Sequence, residues 1–437
     1  MSNLQFYIQP GGSLVGATRV PGDKSVSHRS IMLGSLADGN TKVEGFLQGE
    51  DSLATLRAFR AMGVKITDPE EGRLEIQGVG LEGLQPADDA IDVGNSGTSM
   101  RLMAGLLAGQ KFDSVLTGDS SLVKRPMSRV AAPLSLMGAQ IDTAPDGTAP
   151  LRILGGKNLV GIEYPMPIAS AQVKSCLLLA GLYAQGETAV LEPAPTRDHT
   201  ERMLRTFGVE VTTIDGRSCI PGGQRLTATN IQVPGDISSA AFLLVGASII
   251  PGSDLILEGV GINPTRDGVL QILRLMGADI DVLNTRDVGG EPIADLHIRH
   301  TQLQGIDIPE NLVPLAIDEF PALFIAAAVA EGTTRLTGAE ELRVKESDRI
   351  QVMADGLQSL GVKAIPRPDG IEIEGGKTKG GQVNSRGDHR IAMSFAIAGA
   401  LADGDVLIDD CANVATSYPN FVQQLSELGL LVKDQLL

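Results

Sequence analysis

The sequence predicts an α/β fold of two lobes, each built from three repeated helix-strand-helix-strand units with buried helices and outer sheets. Two observations lead to this prediction. Apolar helix patterns that end at a glycine recur in six ordered pairs along the 437 residues. The first helix of several pairs is apolar on every side, as in the runs AFLLVGASII and IAMSFAIAGALA, and this is typical of a helix enclosed by other structure.

The repeated unit has a constant order of elements. A polar helix start leads into an Ala/Leu-rich run ending near a glycine, and a β-like stretch and a second helix follow. Glycine after a helix is the usual C-cap, so only the six ordered pairs indicate a repeat. The first helices end at Gly39, Gly109, Gly186, Gly252, Gly332 and Gly404, and the second helices at Gly63, Gly138, Gly208, Gly277, Gly361 and Gly429. The strand candidates between them are 42–46, 114–117, 188–191, 254–257, 333–336 and 405–408.

The order of the repeats predicts where the lobes begin and end. Copies one to three precede the turn VPGD at 233–236, and copies four to six follow it. The expected lobes are 22–235 for the first, and 1–21 with 236–437 for the second. The strand candidate 4–8 has no partner in the first lobe, so we expect it to complete the second. The chain would then cross between lobes near residues 20 and 235, which is how a hinge is built.

The composition limits the possible partners. Lys and Arg number 36 against 53 Asp and Glu, a formal net charge of −17, which disfavours nucleic acid or an anionic membrane. No uninterrupted apolar stretch reaches the ~18 residues of a membrane span. The cysteines Cys176, Cys219 and Cys411 lie far apart without a CxxC pair, which fits a reducing compartment. We therefore expect a cytoplasmic monomer with no nucleic-acid or membrane partner.

Basic residues recur at the predicted helix starts. The N-terminus of a helix attracts anions, and its dipole disfavours cations. Four of the six first helices nevertheless place a cation there: Lys24, Arg101, Lys174 and Arg390. The second-helix starts add Lys124, Arg125, Arg197, Arg266, Arg343, Lys345 and Arg349. Any single one of these would be read as a solvated surface charge, but their recurrence predicts a polyanion site between the lobes.

Two pairs of residues with i,i+4 spacing support this expectation. Ser25 with Arg29, and Lys345 with Arg349, would each lie on one helical face and grip a carboxylate or phosphate. His28, His199 and His389 lack the spacing of metal ligands. The turn Gly-Asn-Ser-Gly at 94–97 lacks both the Walker lysine pattern and the Rossmann glycines. We expect neither a metal nor a cofactor.

Four segments resemble the signatures of the 5-enolpyruvylshikimate-3-phosphate (EPSP) synthase family. They are PGDKSVSHR at 21–29, GNSGTSMR at 94–101, KESDR at 345–349 and DHRIAM at 388–393. Three more, SAQVK at 170–174, TRDHT at 196–200 and IDE at 317–319, resemble the branch that includes glyphosate-tolerant bacterial enzymes. The resemblance spans nearly the whole chain and implies two inside-out α/β lobes that close over their substrates.

The resemblance also implies an activity, the transfer of the enolpyruvyl group of phosphoenolpyruvate to the 5-hydroxyl of shikimate 3-phosphate. It assigns shikimate 3-phosphate to Ser25, Arg29, Ser170, Gln172, Lys345 and Asp318, with Arg197 as a phosphate contact. It assigns phosphoenolpyruvate to Lys24, Gly97, Arg125, Gln172, Arg349 and Arg390. For the reaction it implies, we predict Asp318 as the base for the hydroxyl, and Glu346 and Lys24 as candidates for proton transfer at C3.

Two alternatives compete with this interpretation. The sibling UDP-N-acetylglucosamine enolpyruvyl transferases usually carry Cys or Asp in a first-lobe loop. The matching segment 118–125 has no Cys, but Asp119 leaves the alternative open on this ground. The Asp-Lys-Ser and Asp-His-Arg motifs favour EPSP synthase. A non-catalytic phosphometabolite-binding protein is the second alternative, and it gives no reason for Asp318 and Glu346 among the cations.

Overall fold

A computed structural model describes residues 4–436. Its α-helices are α1 Lys24–Leu36, α2 Glu50–Ala61, α3 Gly97–Ala108, α4 Ser128–Leu136, α5 Ala171–Gly181, α6 His199–Thr206, α7 Ile237–Ile249, α8 Gly268–Leu275, α9 Phe320–Val329, α10 Arg349–Ser359, α11 His389–Gly399 and α12 Phe421–Glu427. Short 3₁₀ turns occupy Leu122–Lys124, Glu310–Leu312, Glu340–Val344 and Ala412–Thr416.

The first sixteen strands are β1 Leu4–Gly12, β2 Val15–Thr18, β3 Ala37–Asp38, β4 Asn40–Glu44, β5 Lys65–Ile66, β6 Leu74–Gln77, β7 Ile91–Asp92, β8 Ser114–Thr117, β9 Gln140–Asp142, β10 Leu151–Leu154, β11 Glu163–Pro165, β12 Glu187–Leu191, β13 Thr212–Ile214, β14 Arg217–Pro221, β15 Leu226–Thr227 and β16 Asn230–Gln232. The remaining strands are β17 Asp254–Gly261, β18 Asp279–Val288, β19 Glu291–Arg299, β20 Thr333–Leu336, β21 Lys363–Arg367, β22 Gly370–Glu374, β23 Gly381–Asn384, β24 Val406–Asp409 and β25 Leu430–Leu436.

The six predicted helix pairs are present. The odd-numbered helices are the first helices of the repeats, the even-numbered ones are the second helices, and a strand follows each first helix at or within two residues of the predicted position. All six glycines after the second helices have φ between 78° and 113°. This left-handed conformation is the usual end of a helix and favours glycine, which has no Cβ to clash.

The chain folds into two compact units. The first unit comprises Gly22–Pro234 with Asp287–Glu291, and the second comprises the described residues up to Pro21, Gly235–Arg286 and those from Pro292 onward. The repeat pattern gave no sign that Asp287–Glu291, at the turn between β18 and β19, would group with the first unit.

Each unit contains three main sheets. Those of the first unit run β16-β4-β6-β5, β7-β8-β10-β9 and β11-β12-β14-β13, and a small sheet pairs β15 with β3. Those of the second unit run β18-β19-β17-β2, β20-β22-β21 and β23-β24-β1-β25. The N-terminal strand β1 lies between β24 and β25 and is antiparallel to both, with Phe6 opposite Ile408 and Asp434. It therefore fills a sheet position that the sixth repeat itself does not supply.

Each unit has its own hydrophobic core, formed around its first helices. All 13 residues of α7 are buried, as are 11 of the 12 residues of α3. The strands alternate instead, as in β6, where Leu74 and Ile76 are buried and Glu75 and Gln77 are exposed. The prediction of buried helices and outer sheets is therefore confirmed. Among residues 4–436, no helix is both long and apolar enough to cross a membrane.

Candidate active site

In the first unit, hydrogen bonds connect the N-terminal ends of α1, α3 and α5. Asp23, Ser96 and Ser170 cap these helices by accepting backbone N–H groups with their side chains, as the sequence predicts. The imidazole of His28 on α1 lies 2.8 Å from Thr55 Oγ1 and 3.4 Å from Ser96 Oγ. Burial, with Lys24 and Arg29 nearby, holds the pKa of His28 well below its usual value.

Arg29 is a buried cation with neutral hydrogen-bond partners. Its Nε donates to Thr200 Oγ1 at 2.7 Å, one Nη donates to Ser175 Oγ at 2.9 Å, and the other donates to the carbonyl oxygen of Ser25 at 2.9 Å. Burial lowers the pKa of Arg29 to about 10, so the side chain stays protonated at neutral pH. Its charge has no carboxylate within ion-pair distance in the part of the chain that the structure describes, which suits a cation that receives an anionic ligand.

Lys24 and Lys174 have different surroundings although both lie in a helix first turn. Lys24 is half-buried and pairs with the buried carboxylate of Asp51 on α2. Lys174 is 1% exposed and pairs with Glu192 at 2.8 Å and Glu201 at 2.7 Å. A buried charge needs such partners to be stable. The expectation that an anionic ligand explains the first-turn cation at Lys174 is therefore wrong, because two internal glutamates already neutralise it.

A second cluster forms around Gly97, the first residue of α3. A Cβ on Gly97 would lie 3.3 Å from an Nη atom of Arg125 and 3.4 Å from one of Arg101. Arg125 donates to Asn95 Oδ1 at 2.8 Å. Arg101 donates to Gln172 Oε1 on α5, and Gln172 Nε2 donates to Thr98 Oγ1 at 3.1 Å. The structure thus brings Gly97, Arg125 and Gln172 together, and glycine leaves room beside the guanidinium groups.

Two further predicted residues of the first unit lie at helix starts. The Ser170 hydroxyl caps α5 by accepting from the backbone N–H of Val173 at 3.4 Å, so its own hydrogen is available to a ligand. Arg197 precedes α6 and is half-buried. The charge of Arg197 also lowers the pKa of Arg29, although burial and three carboxylates have larger effects on it. The two cations therefore lie in the same region.

In the second unit, Asp318 faces two cations. Its Oδ1 lies 3.5 Å from Lys345 Nζ and 3.4 Å from Arg349 Nη1. Helix α9 starts after Glu319 and has no side-chain cap. The carboxylate of Asp318 is therefore not used as an N-cap, unlike those of Asp236 and Asp388 in this unit.

Arg349 is the centre of this cluster. It is 1% exposed and also contacts Glu346 Oε2 at 2.6 Å and Asp388 Oδ2 at 2.9 Å. Burial disfavours its charge, but Asp388, Glu346 and Asp318 together raise the pKa of Arg349 above its usual value. Arg390 is half-buried on α11, and its guanidinium has no partner among residues 4–436, so it remains available to an anion.

One predicted arrangement is wrong. Lys345 and Arg349 do not share a helical face, because Asp348 accepts the N–H of Gln351 and caps α10, which begins at Arg349. Lys345 lies before the helix, immediately after the 3₁₀ turn Glu340–Val344. Both cations still contact Asp318. The tertiary structure therefore brings Lys345 and Arg349 together, although they are not on one helix. Ser25 and Arg29 do lie on one helix, α1.

Two residues of these clusters were not predicted. Asp51 pairs with Lys24, and Asp388 pairs with Arg349. Asp388 occupies an N-cap position that is readable from sequence, but nothing in the spacing links it to Arg349. In the described chain, no group of three or more His, Cys, Asp or Glu residues could hold a metal ion.

The chain is similar to proteins of one family over nearly its whole length. The family model described as EPSP synthase (3-phosphoshikimate 1-carboxyvinyltransferase) matches residues 8–425. A relative of that name from Methylococcus capsulatus is 67% identical over 428 residues, which cover 98% of each chain. Another from Alkalilimnicola ehrlichii is 63% identical over 98% of this chain and 96% of its own.

The chain is also similar to a solved structure. The EPSP synthase of Acinetobacter baumannii superimposes with a TM-score of 0.91 at 59% identity, covering 99% of this chain and 100% of the other. The match extends over both units. The chain therefore belongs to the EPSP synthase family, the 3-phosphoshikimate 1-carboxyvinyltransferases.

Proposed function

We propose that this chain transfers the enolpyruvyl group of phosphoenolpyruvate to the 5-hydroxyl of shikimate 3-phosphate and releases inorganic phosphate. The relatives that it matches over nearly their whole length are named for carboxyvinyl transfer to 3-phosphoshikimate. The observation that supports the chemistry best is the carboxylate of Asp318 beside Lys345 and Arg349. A site that only bound anions would be weakened by a carboxylate among its cations.

Both units contribute substrate contacts in this proposal. Shikimate 3-phosphate is held by Ser25, Arg29, Ser170, Gln172, Arg197, Asp318 and Lys345. Phosphoenolpyruvate is held by Lys24, Gly97, Arg125, Gln172, Arg349 and Arg390. The buried Arg29 and the half-buried Arg390 support these roles, because neither guanidinium has a carboxylate within ion-pair distance among residues 4–436.

The reaction proceeds by addition and elimination. Asp318 accepts the proton of the 5-hydroxyl as its oxygen bonds to C2 of phosphoenolpyruvate, and C3 receives a proton to give a tetrahedral ketal. Loss of phosphate and removal of a C3 proton then restore the double bond. Glu346 and Lys24 carry protons at C3, where a positioned acid and base each accelerate transfer. The cations stabilise the charge on the departing phosphate.

Three finer assignments belong to the same proposal. The segments 170–174, 196–200 and 317–319 support membership of the branch that includes glyphosate-tolerant enzymes. The net charge of −17 and the separated cysteines support a cytoplasmic protein. We also propose that it is a monomer. Inhibition assays with glyphosate, fractionation of the source cells and sedimentation of the purified protein test these three assignments.

The crossings near residues 20 and 235 are proposed as a hinge between two lobes, 22–235 and 1–21 with 236–437. The backbone N–H of Asp23 donates to the carbonyl oxygen of Pro234, and that of Asp236 donates to Pro21, so the two crossing segments run side by side. We expect saturating shikimate 3-phosphate to favour a compact form. Small-angle scattering tests this, and an unchanged radius of gyration contradicts it.

Phosphate release is the direct test of the proposed activity. We expect release only when shikimate 3-phosphate and phosphoenolpyruvate are both present, and none when either is omitted. Replacing shikimate 3-phosphate with UDP-N-acetylglucosamine should abolish release. Release with the nucleotide sugar would favour the sibling transferase, and binding of both substrates without release would favour a non-catalytic binding protein.

A further inference from the structure

A cavity of about 730 Å³ lies within the first unit, away from the helix starts that carry the candidate active site. It is lined by residues at the C-terminal ends of α1, α3 and α5, among them Leu36, Gly109 and Leu182. The predicted substrate-binding residues of these helices lie at their opposite, N-terminal ends. The volume falls within the range of small-molecule sites. None of the substrate contacts proposed above lines it.

Three equivalent loops form the mouth of the cavity. They follow β6, β10 and β14, and each turns at a glycine with positive φ: Gly80 at 74°, Gly156 at 69° and Gly223 at 75°. Each loop then supplies one long charged side chain to the lining: Glu82, Lys157 and Arg225, respectively. The cavity therefore lies where the three repeats of this unit meet.

Charged residues around the mouth form ion pairs at two of the three contacts between neighbouring repeats, which we call seams. Each loop lies against the end of the first helix of the next repeat. At one seam Glu82 pairs with Lys111 at 2.8 Å, and at another Arg225 pairs with Asp38 at 3.5 Å. At the third seam the helix end supplies neutral Gln185 beside the loop of Lys157.

Lys157 consequently carries an uncompensated charge. Within residues 4–436 it has no ion pair, and three cations against two carboxylates line the cavity. The C-terminal ends of α1, α3 and α5 carry partial negative charge, so an anion would bind at Lys157 and away from the helix ends.

Polar groups in the lining also remain available. Gln110, which is 3% exposed, donates from Nε2 to the hydroxyl oxygen of Tyr183 at 2.9 Å. Its Oε1 and the hydroxyl hydrogen of Tyr183 have no partner among the described residues, so one acceptor and one donor are unused. Burial raises the pKa of Tyr183, so the phenol keeps its proton. The half-buried side chains of Val79, Leu81 and Phe112 supply apolar surface.

We propose that this cavity binds a small amphipathic carboxylate. Lys157 holds the carboxylate, Gln110 accepts a hydrogen bond from a hydroxyl group on the ligand and Tyr183 donates one to it, and Val79, Leu81 and Phe112 contact the apolar body of the ligand. The single uncompensated charge matches a monoanion better than a dianion. This inference is independent of the function proposed above.

Three probes of similar shape separate these contributions. Isothermal titration calorimetry, with shikimate 3-phosphate saturating, would compare 4-hydroxybenzoate, benzoate and 4-hydroxybenzamide. We expect saturable binding of 4-hydroxybenzoate, and weaker binding of benzoate and of the uncharged amide, because each lacks one contact. A charge-assisted contact corresponds to about a tenfold difference in affinity.

Surface substitutions test the position of the ligand without disturbing the core. Lys157→Gln removes the cation, and Gln185→Glu supplies the missing carboxylate at the third seam. Each should weaken 4-hydroxybenzoate binding by about fivefold or more. The matched control is Lys377→Gln, because Lys377 follows the same Gly-Gly sequence in the second unit and also has no ion pair among the described residues. The affinity of the Lys377→Gln protein for 4-hydroxybenzoate should stay within about twofold of that of the unsubstituted protein.

A substitution at the candidate active site separates the two sites. Arg125→Gln should leave the affinity for 4-hydroxybenzoate unchanged if the probe occupies the cavity. The proposal is overturned if 4-hydroxybenzoate shows no saturable binding, if the amide binds equally well, or if Arg125→Gln rather than Lys157→Gln removes binding.

Discussion

Arg349 and Asp388 form a buried, two-point ion pair, in which Nε donates to Oδ2 at 2.9 Å and Nη2 donates to Oδ1 at 3.3 Å. Asp388 simultaneously caps α11 by accepting the N–H of Arg390 at 3.0 Å. One carboxylate therefore fixes the guanidinium of Arg349 and the start of the helix that carries Arg390. Both cations are proposed contacts of phosphoenolpyruvate, so Asp388 links their positions.

Asp388→Asn should destabilise the protein most at neutral pH. Removing one partner of a buried ion pair costs about 3–5 kcal/mol. Burial has the largest single effect and would raise the pKa of Asp388, but the charge and hydrogen bond of Arg349, together with His389, hold the pKa below its usual value. The stabilisation is therefore fully present above about pH 4, the unfolded pKa, and is lost as pH falls through the lower folded value.

Urea denaturation of both proteins between pH 7 and pH 3 measures this effect. The difference in unfolding free energy should be largest at pH 7 and should shrink below about pH 4. A difference that does not change with pH would show that the ionised carboxylate contributes nothing beyond the shape of the side chain.

Asp318→Asn should lower kcat by about 10²- to 10⁴-fold, the contribution typical of a positioned base. Affinity for shikimate 3-phosphate should stay near that of the unsubstituted protein, because asparagine keeps the shape and one acceptor. Phosphate-release kinetics and calorimetry measure the two quantities. Turnover near the original rate would eliminate Asp318 as the base.

Gly97→Ala should raise the ratio of the glyphosate inhibition constant to the KM of phosphoenolpyruvate. The new methyl group would lie 3.3 Å from an Nη atom of Arg125, so the guanidinium must shift by a few tenths of an ångström. Glyphosate is longer than phosphoenolpyruvate and should lose more from this shift. We expect an increase of about threefold or more, because small misplacements of binding groups are costly.

The matched control for this substitution is Gly376→Ala, since a Cβ there meets nothing within 4 Å. Steady-state inhibition at varied phosphoenolpyruvate gives the ratio for each protein. An equal or lower ratio in Gly97→Ala would show that this position does not border the inhibitor.

Arg266→Gln should lower kcat more than it changes either KM. Arg266 is buried and donates to Asp236 Oδ1 at 3.0 Å and to Ser238 Oγ at 2.6 Å. Ser238 donates to Glu319, the residue after Asp318. These hydrogen bonds therefore fix the position of the segment that carries the proposed base, Asp318. We expect Arg266 to act as a positioning residue.

Arg266→Lys, which keeps the charge, should recover part of the lost turnover, and Arg274→Gln on α8 is the control for general destabilisation. A tenfold loss of kcat with both KM values within about twofold would match loss of an interaction made in the transition state. Equal effects of Arg266→Gln and Arg274→Gln on kcat and KM would instead indicate a purely structural role.

The sequence by itself determined the repeats and the caps of several helices. Six glycines with left-handed φ end the second helices, and uniformly apolar first helices such as α7 are enclosed, because these features depend on local conformation and on burial of apolar surface. Capping residues such as Asp23 and Ser96 were likewise readable, since each capping bond joins the side chain to a backbone N–H in the first turn of its own helix.

Only the tertiary structure decided which charges are available. Lys174 and Arg29 both lie near the starts of first helices, yet Lys174 is neutralised by Glu192 and Glu201, whereas the hydrogen-bond partners of Arg29 are neutral. Arg349 and Asp388 are 39 positions apart in the sequence, so their ion pair is likewise not evident from it. Charge pairing acts through space between residues that are distant along the chain, and burial determines its strength. A one-dimensional pattern therefore shows where cations lie, whereas the folded chain determines which of them a ligand can use.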